Sequence, residues 1–365
     1  MEITALCKVV DNFGDIGVVY RLVKQIKKIS PQTKINLLVD NLQSFSKLCD
    51  KVKVDLDYQL VENLNVYHST SYDFCYKEFS KNDGEKLSII LECFQCGRPD
   101  WMEKILFEDK LNRTCHIIMI DYLTAEDYAE DFHCLQSLTR SAKVQKVNFM
   151  PGFTNKTGGL IIDSTWENIP SYNPLGEVLI FTYERNWVPL VRALNMYGKK
   201  SLVAQGRGFE SFMQAVKEEN QNLENFNPLP FINQCEWDQV MKKSSILFIR
   251  GEESMSRACL SGIPFVWHAY PQSDEYQLVK VQALLNKLEK YFTSREYKII
   301  QRVWLDFNKA ENEVSNSELE ESTYDFLINS QELREGFYKF AEDLRKIGDL
   351  AYNLMTFIQK NVIIK

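Results

Sequence analysis

The sequence has no apolar run long enough to span a membrane, and its amino terminus lacks a basic region followed by an apolar core. We therefore expect a cytoplasmic protein with no membrane partner. No run of basic residues occurs, and the net charge is −7. Because a protein that binds nucleic acid usually carries a basic face, a nucleic-acid partner is not expected.

A complete set of zinc ligands is also lacking. Cys93 and Cys96 form one CxxC pair, and structural zinc usually requires a second pair at similar spacing. The nearby pairs Cys115-His116 and His133-Cys134 leave a zinc or redox site as an alternative. The nine cysteines are an odd number without a secretion signal, which favours reduced thiols. We expect no metal site.

The composition is that of a soluble globular protein, with 45% hydrophobic and 25% charged residues, and 365 residues are enough for two domains. Strand and helix patterns alternate twice along the chain, which predicts an α/β fold. We assign a first Rossmann-like domain to residues 1–165, completed by a C-terminal helix over about 345–365. A second occupies 176–344, with a linker over 163–177. A further helix is predicted over about 125–138.

A strand, a tight turn and a helix are predicted over residues 246–262. Gly251 allows a positive φ or a close approach of the backbone to a ligand. The start of the following helix directs unpaired N–H groups at one point, which favours phosphate, and Arg250 adds a charged fork. Glu252 and Glu253 put two carboxylates in the first turn. An ordinary turn with capping acids is the alternative interpretation.

The turn after the first predicted strand, residues 11–17, also has the features of a site. Its sequence NFGDIG lacks the GxGxxG spacing of a dinucleotide-binding turn. It carries Asp11 and Asp15, which favours a base or a cation holder, although an Asp ahead of an apolar helical run is, taken alone, more often a helix cap. Asp121 and Tyr122 follow another predicted strand at its carboxyl end, where sites of α/β proteins form.

Two Rossmann-like halves facing a central cleft, with a phosphate-binding helix start and an acidic turn, are typical of a nucleotide-sugar glycosyltransferase. In this interpretation the second half holds the donor diphosphate, and the first half supplies the acceptor side and the base. A non-catalytic nucleotide-sugar-binding protein is the main alternative. An enzyme that uses NAD is disfavoured because the glycine fingerprint is missing.

Two long motifs carry a resemblance to a known family: CKVVDNFGDIGVVYRL at 7–22, and RGEES at 250–254 followed by PFVWHAYPQ at 264–272. Together they resemble the bacterial protein-arginine rhamnosyltransferases that modify translation elongation factor P. The resemblance implies a GT-B-type fold. It also implies inverting, metal-independent transfer of L-rhamnose from dTDP-β-L-rhamnose to an arginine of elongation factor P, with no cofactor. Transfer to another acceptor is the alternative.

The resemblance also implies roles for particular residues. Asp15 matches the general base, and Glu252 matches a second catalytic carboxylate. Glu253 stands where the family usually has Asp, which keeps the charge on a side chain one methylene longer. Acceptor-side positions are Asp11, Asp121 and Tyr122. Donor-binding positions are Asn12, Phe13, Gly14, Asp15, Tyr183, Phe231, Gln234, Cys235, Glu236, Arg250, Gly251, Glu252, Glu253 and Ser254. Trp267 and His268 have a simpler interpretation as core or wall residues.

Overall fold

The computed structural model describes residues 1–10, 14–109, 111–219 and 223–362. Asp11, Asn12 and Phe13, three of the predicted site residues, lie outside these ranges. The chain folds into two compact units, one made of Met1–Asp163 with Ile347–Lys365 and the other of Ser164–Lys346. The carboxyl-terminal segment thus belongs to the same unit as the amino terminus.

The first unit alternates strands and helices from its first residues. Its elements are β1 (Glu2–Cys7), α1 (Gly14–Ile29), β2 (Lys34–Val39), α2 (Leu42–Leu48), β3 (Tyr58–Val61), β4 (Leu64–His68), α3 (Tyr72–Phe79), α4 (Lys81–Gly84), β5 (Ile89–Cys93), α5 (Asp100–Phe107), β6 (Cys115–Ile120), α6 (Tyr128–Phe132), β7 (Gln136–Ser137) and β8 (Val144–Phe149).

The second unit repeats the alternation, and the last helix returns to the first unit. The elements are β9 (Val178–Ile180), α7 (Val188–Tyr197), β10 (Ser201–Ala204), α8 (Phe209–Glu218), β11 (Phe226–Leu229), α9 (Gln234–Lys243), β12 (Ile246–Arg250), α10 (Glu252–Ser261), β13 (Phe265–His268), α11 (Tyr276–Leu288), α12 (Ser294–Asn308), α13 (Asn316–Ile347) and α14 (Leu350–Asn361). No helix in the described ranges combines the length and apolarity needed to cross a membrane.

In the first unit the strands form a sheet in the order β3-β4-β2-β1-β5-β6-β8-β7. The two edge strands β3 and β7 are antiparallel to their neighbours, and the other pairs are parallel. The strands that follow β1 in the chain lie on one side of it, and those that follow β5 lie on the opposite side, so the strand order reverses between β1 and β5. Ligands of open α/β sheets bind at the carboxyl ends of strands beside such a reversal.

Helices cover both faces of this sheet. Ile3 and Ala5 of β1 share a core with Val19 of α1 and Leu354 of α14, while Leu6 belongs to a second core with residues of α5. Strands buried on both faces are almost continuously apolar, which is why the sequence predicts them well. The core also fixes α1, whose first turn carries Asp15, against the sheet.

The second unit has a parallel sheet in the order β11-β10-β9-β12-β13. Here the reversal of strand order lies between β9 and β12. Arg250, the last residue of β12, is therefore at the position where this topology favours a ligand. Gly262 ends the following helix α10 with a φ of 67°, as its position after the predicted helix suggests.

The helix predicted over 125–138 is wrong for most of its length, because only Tyr128–Phe132 is helical. Cys134 has a positive φ of 63°, and its N–H donates to the Asn148 carbonyl. The chain then pairs Gln136 and Ser137 with β8 as an antiparallel edge strand. Apolar residues at helical spacing misled the assignment, since Leu135 and Leu138 are exposed.

Much of the segment predicted as a linker is packed rather than extended through solvent. The Trp166 side chain is fully buried, and the Arg345 guanidinium donates to the Trp166 carbonyl at 2.7 Å. Lys242 also donates to the Thr165 carbonyl. The residues from Ser164 onward therefore belong to the second unit.

The contact between Gly159 and the carboxyl-terminal segment should be sensitive to a single methyl group. Gly159 has a φ of 82°, and a Cβ there would lie 2.5 Å from the Gly348 carbonyl oxygen. Gly97, in the same unit, has a φ of 71° with nothing within 4 Å of its Cβ position. We expect Gly159→Ala to cost roughly 3 kcal/mol and Gly97→Ala about 1 kcal/mol, measured by urea unfolding. Equal losses would show that the contact with Gly348 contributes nothing.

Candidate active site

The Asp15 carboxylate lies at the carboxyl end of β1, in the first turn of α1, and is 3% exposed. Its Oδ2 accepts a hydrogen bond from the Val10 N–H at 2.7 Å, and its Oδ1 accepts one from the Tyr122 hydroxyl at 3.2 Å. Asp15 is thus a residue of the helix, and its side chain also accepts a hydrogen bond from the loop that precedes the helix. Two donors from different elements fix the plane of this carboxylate.

The loop after β5 contacts Asp121 and Tyr122, and no sequence motif indicates it directly. The Phe94 ring stacks on the Tyr122 ring, with centroids 4.4 Å apart and planes 16° from parallel. The Gln95 side chain donates to Asp121 Oδ2 at 2.9 Å, and Asp121 Oδ1 accepts the Tyr122 N–H. The predicted residues Asp15, Asp121 and Tyr122 are therefore brought together. Strand order would have indicated this loop, because β5 flanks the reversal.

In the second unit, Arg250 lies over two aromatic rings. Its guanidinium carbon is 4.4 Å from the Phe181 ring centroid and 4.7 Å from that of Tyr183, and both rings directly follow β9. Its buried Nε has no hydrogen-bond partner within the part of the chain that the structure describes. Ring faces attract a cation without neutralising it. The arrangement therefore holds a positive charge that an anionic ligand can use.

Gly251 continues directly into the start of α10. Its φ of 73° and ψ of 161° fall in a region that is essentially restricted to glycine, and its Cβ position has nothing within 4 Å. The prediction of a positive φ at this residue is confirmed. Because the first N–H groups of a helix lack partners within the helix, Gly251 lies at the end of α10 where backbone donors and the positive end of the helix dipole are found.

The first turn of α10 carries the predicted carboxylates, and their contacts differ. Glu253 Oε1 accepts a hydrogen bond from the Gln234 amide at 3.4 Å, and its Oε2 lies 3.8 Å from Arg257 Nε. Glu252 lies 3.9 Å from Lys280 Nζ. Glu253 therefore connects the starts of α9 and α10, whereas Glu252 has a looser contact with α11. Ser254, which follows them, is buried.

The other predicted donor-binding residues of this unit surround the start of α9. Glu236 forms a capping box with Asn233, accepting the Asn233 N–H while the Asn233 side chain accepts the Glu236 N–H. This contact gives Glu236 a local structural role. Cys235 is exposed, and Phe231 is 47% exposed. Their predicted contacts with a nucleotide stay predictions, as do those of Gly14 in the first unit.

Tyr183 and His268 form the wall behind Arg250. Tyr183 is 3% exposed, and its N–H donates to His268 Nδ1 at 3.2 Å, so this nitrogen carries no proton. Burial, with further effects of the Arg185 and Arg250 charges, lowers the pKa of His268 to about 3. Tyr270, half exposed, packs edge-on against Tyr183. His268 is thus a neutral, buried wall residue, which agrees with its interpretation from the sequence as a core or wall residue.

The cysteine pair of the first unit has little thiolate character. Cys93 is buried, and burial raises the pKa of its thiol well above the ordinary value. Burial likewise raises the pKa of Cys96 to about 11. Because disulfide exchange requires the thiolate, this environment disfavours the redox alternative. The described residues contain no group of three or more metal-ligating side chains.

The two parallel sheets with these sites define a GT-B-type glycosyltransferase fold. It is similar to a UDP-glucose:anthocyanidin 3-O-glucosyltransferase in complex with UDP, at a TM-score of 0.54 and 11% identity over 98% of both chains. It is also similar to a structure of EarP-mediated arginine glycosylation of translation elongation factor EF-P, at a TM-score of 0.60 and 16% identity, covering 99% of this chain and 100% of that one.

The family model for the Elongation-Factor P (EF-P) rhamnosyltransferase EarP matches residues 3–359, and the chain belongs to this family. A protein-arginine rhamnosyltransferase of Shewanella oneidensis is 28% identical, with 97% of each chain covered. One from Pseudomonas aeruginosa is 26% identical, with 76% of this chain and 79% of the relative covered. The enzyme class is that of the protein-arginine rhamnosyltransferases, which transfer rhamnose to arginine.

Replacement of Gly251 should impair the enzyme without unfolding it. A Cβ at this φ and ψ costs roughly 1–3 kcal/mol, which the turn can relieve only by redirecting the first N–H groups of α10. We expect Gly251→Ala to slow rhamnosyl transfer about tenfold to a hundredfold. Gly198→Ala is the control, because Gly198 also has a positive φ of 77° with nothing within 4 Å. A rate loss shared by both variants would argue against a specific role of the turn.

The buried His268 should make folding sensitive to mild acid. Its pKa is about 3 in the folded chain and ordinarily near 6.5 when unfolded, so below about pH 6.5 only the unfolded state gains the proton. Stability is then lost as the pH falls. By pH 5 the loss from this group is roughly 2 kcal/mol. We expect His268→Asn to reduce the acid dependence by that amount in urea unfolding at pH 7 and pH 5. An equal loss of stability between pH 7 and pH 5 in the native chain and in His268→Asn would contradict the low pKa of the buried His268.

Proposed function

We propose that the chain transfers L-rhamnose from dTDP-β-L-rhamnose to an arginine side chain of translation elongation factor P, with inversion and without a metal ion. The observation that carries the proposal is the uncompensated Arg250 cation next to the glycine turn that starts α10. Relatives that are described as EF-P rhamnosyltransferases support the acceptor. The proposed acceptor, a translation factor, also implies that the enzyme acts in the cytoplasm.

The donor side of the proposal follows from the charge on the leaving group. Cleavage of the glycosidic bond leaves a nucleoside diphosphate, whose developing negative charge needs stabilisation. Arg250 offers a positive charge that no described carboxylate neutralises, and the α10 start offers N–H donors with the positive end of the helix dipole. These groups can perform the task that a divalent cation performs in other transferases. Neither a metal nor a cofactor is therefore part of the proposed reaction.

The acceptor side of the proposal depends on the Asp15 carboxylate. We assign Asp15 as the group that orients the acceptor guanidinium and accepts a proton as the C–N bond forms. Its burial and its two fixed hydrogen bonds support this role, because a base must be held in a productive geometry. Glu252 is proposed as a second catalytic carboxylate, because its place in the RGEES motif matches that role in the family.

Inversion follows if the guanidinium nitrogen itself displaces the diphosphate. Attack from the face opposite the leaving group converts a β-linked donor into an α-linked product in one step. A retaining reaction through a glycosyl-enzyme intermediate would require a carboxylate as nucleophile, as in retaining glycosidases. In the proposed reaction Asp15 contacts nitrogen-bound protons instead, so it acts as a base.

The test is the intact mass of elongation factor P after incubation with the enzyme, dTDP-β-L-rhamnose and a chelator. We expect a gain of one deoxyhexose, and a loss of rate of at least about 100-fold in Asp15→Asn. Asp73→Asn is the matched control, because Asp73 also lies in the first turn of a helix of the same unit but is exposed. It should keep the full rate.

Each part of the proposal fails separately in this experiment. Full turnover by Asp15→Asn would contradict the assignment of Asp15 as the base. Turnover that occurs without the chelator but not with it would contradict metal independence. No added mass, in spite of dTDP-β-L-rhamnose binding to the enzyme, would indicate another acceptor. The anomeric configuration of the product, measured by NMR, tests inversion.

A further inference from the structure

The loop that follows β5 is held in an unusual backbone conformation beside Asp15. Phe94 and Gln95 are consecutive residues other than glycine, with φ values of 58° and 51°. Such residues rarely adopt left-handed conformations, which persist only where the surrounding structure compensates for the strain. Strain of this kind is common at active sites, and this loop lies beside the reversal of strand order.

Three contacts connect this loop to the loop after β6. The Phe94 N–H donates to the Ile120 carbonyl at 2.7 Å, and the Gln95 amide donates to Asp121 Oδ2 at 2.9 Å. The third contact is the stacking of the Phe94 ring on Tyr122. Together they determine where the Tyr122 ring lies and how it is oriented.

We propose that Phe94 is a positioning residue for rhamnosyl transfer, which acts through the Tyr122 hydroxyl to orient the Asp15 carboxylate. The inference rests on the proposed role of Asp15 as the base. Tyr122 is 37% exposed, so without a neighbour its ring would have freedom to rotate. The ring of Phe94, 4.4 Å away and nearly parallel, restricts it. The hydroxyl is thereby kept within 3.2 Å of Asp15 Oδ1.

This arrangement explains why a strained loop is found next to Tyr122. A left-handed backbone at Phe94 and Gln95 directs the Phe94 side chain onto Tyr122 and the Gln95 side chain onto Asp121. Asp121 also accepts the Tyr122 N–H, so both the ring and the backbone of Tyr122 are held. The strain is offset by contacts that hold one donor to the carboxylate in place. Loss of the Tyr122 donor would remove one of the hydrogen bonds that fix the plane of this carboxylate.

The test compares Phe94→Leu, which keeps the apolar volume but loses the flat ring, with Phe94→Tyr, which keeps the ring. We expect Phe94→Leu to lower kcat about three- to tenfold with little change in the KM for donor, and Phe94→Tyr to restore most of the rate. Tyr72→Leu is the control, because Tyr72 also stacks on a neighbouring ring in the same unit, although Tyr72 is exposed and Phe94 is partly buried. It should not change kcat.

A double substitution separates positioning from simple packing. Tyr122→Phe removes the hydroxyl, so in that background Phe94→Leu should lower kcat less than twofold if Phe94 acts through this group. Equal effects of Phe94→Leu in both backgrounds would overturn the proposal, because the residue would then act by another route. A rate unchanged by Phe94→Leu in the otherwise native chain would also overturn it.

A measurement without turnover keeps this test independent of the proposed function. The ¹³Cζ resonance of Tyr122, assigned by its loss in Tyr122→Phe, should shift in Phe94→Leu and in Asp15→Asn. These shifts would establish the connection from Phe94 through Tyr122 to Asp15 even if Asp15 is not the base. A resonance that responds to neither substitution would show that the connection does not exist, whatever the rates.

Discussion

The two sites both depend on the reversal of strand order in a parallel sheet. Connections run outward from β1 and β5 in one unit and from β9 and β12 in the other, so the loops at the carboxyl ends diverge at these pairs. Side chains from neighbouring strands can then meet where no connection covers them. Asp15 contacts Tyr122 in this way, Tyr122 in turn contacts the loop after β5, and Arg250 contacts the rings that follow β9.

The charge at the start of α10 depends on which of its side chains are paired. Two carboxylates in the first turn of α10 would neutralise a phosphate site if both faced it, but Glu253 is engaged by Gln234 and Arg257. Arg250 lies on aromatic faces and keeps its charge available, while burial keeps His268 behind it neutral. Glu253 lies near Arg257 and Glu252 near Lys280, so the described residues leave Arg250 without a carboxylate partner, in a chain whose overall charge is negative.

Sequence patterns reveal features that depend on one segment and miss those that depend on two. Buried strands are continuous apolar runs, and the conformation of Gly251 follows from its residue type and its neighbours. No local signal gives the left-handed backbone at Phe94, because the contacts that stabilise it come from Ile120 and Asp121. The edge strand at Gln136 was missed for the same reason, since only its pairing with β8 defines it.

The chemistry of the acceptor explains why a well-oriented carboxylate matters more than a strongly basic one. A free guanidinium holds its proton far more tightly than an ordinary carboxylate does, so proton transfer between them would cost roughly 12 kcal/mol before any bond forms. Once a guanidinium nitrogen bonds to the sugar, its positive charge increases and its proton is lost readily. A base for this reaction has to be placed at that nitrogen in advance. The two donors that fix the plane of Asp15 fit this requirement.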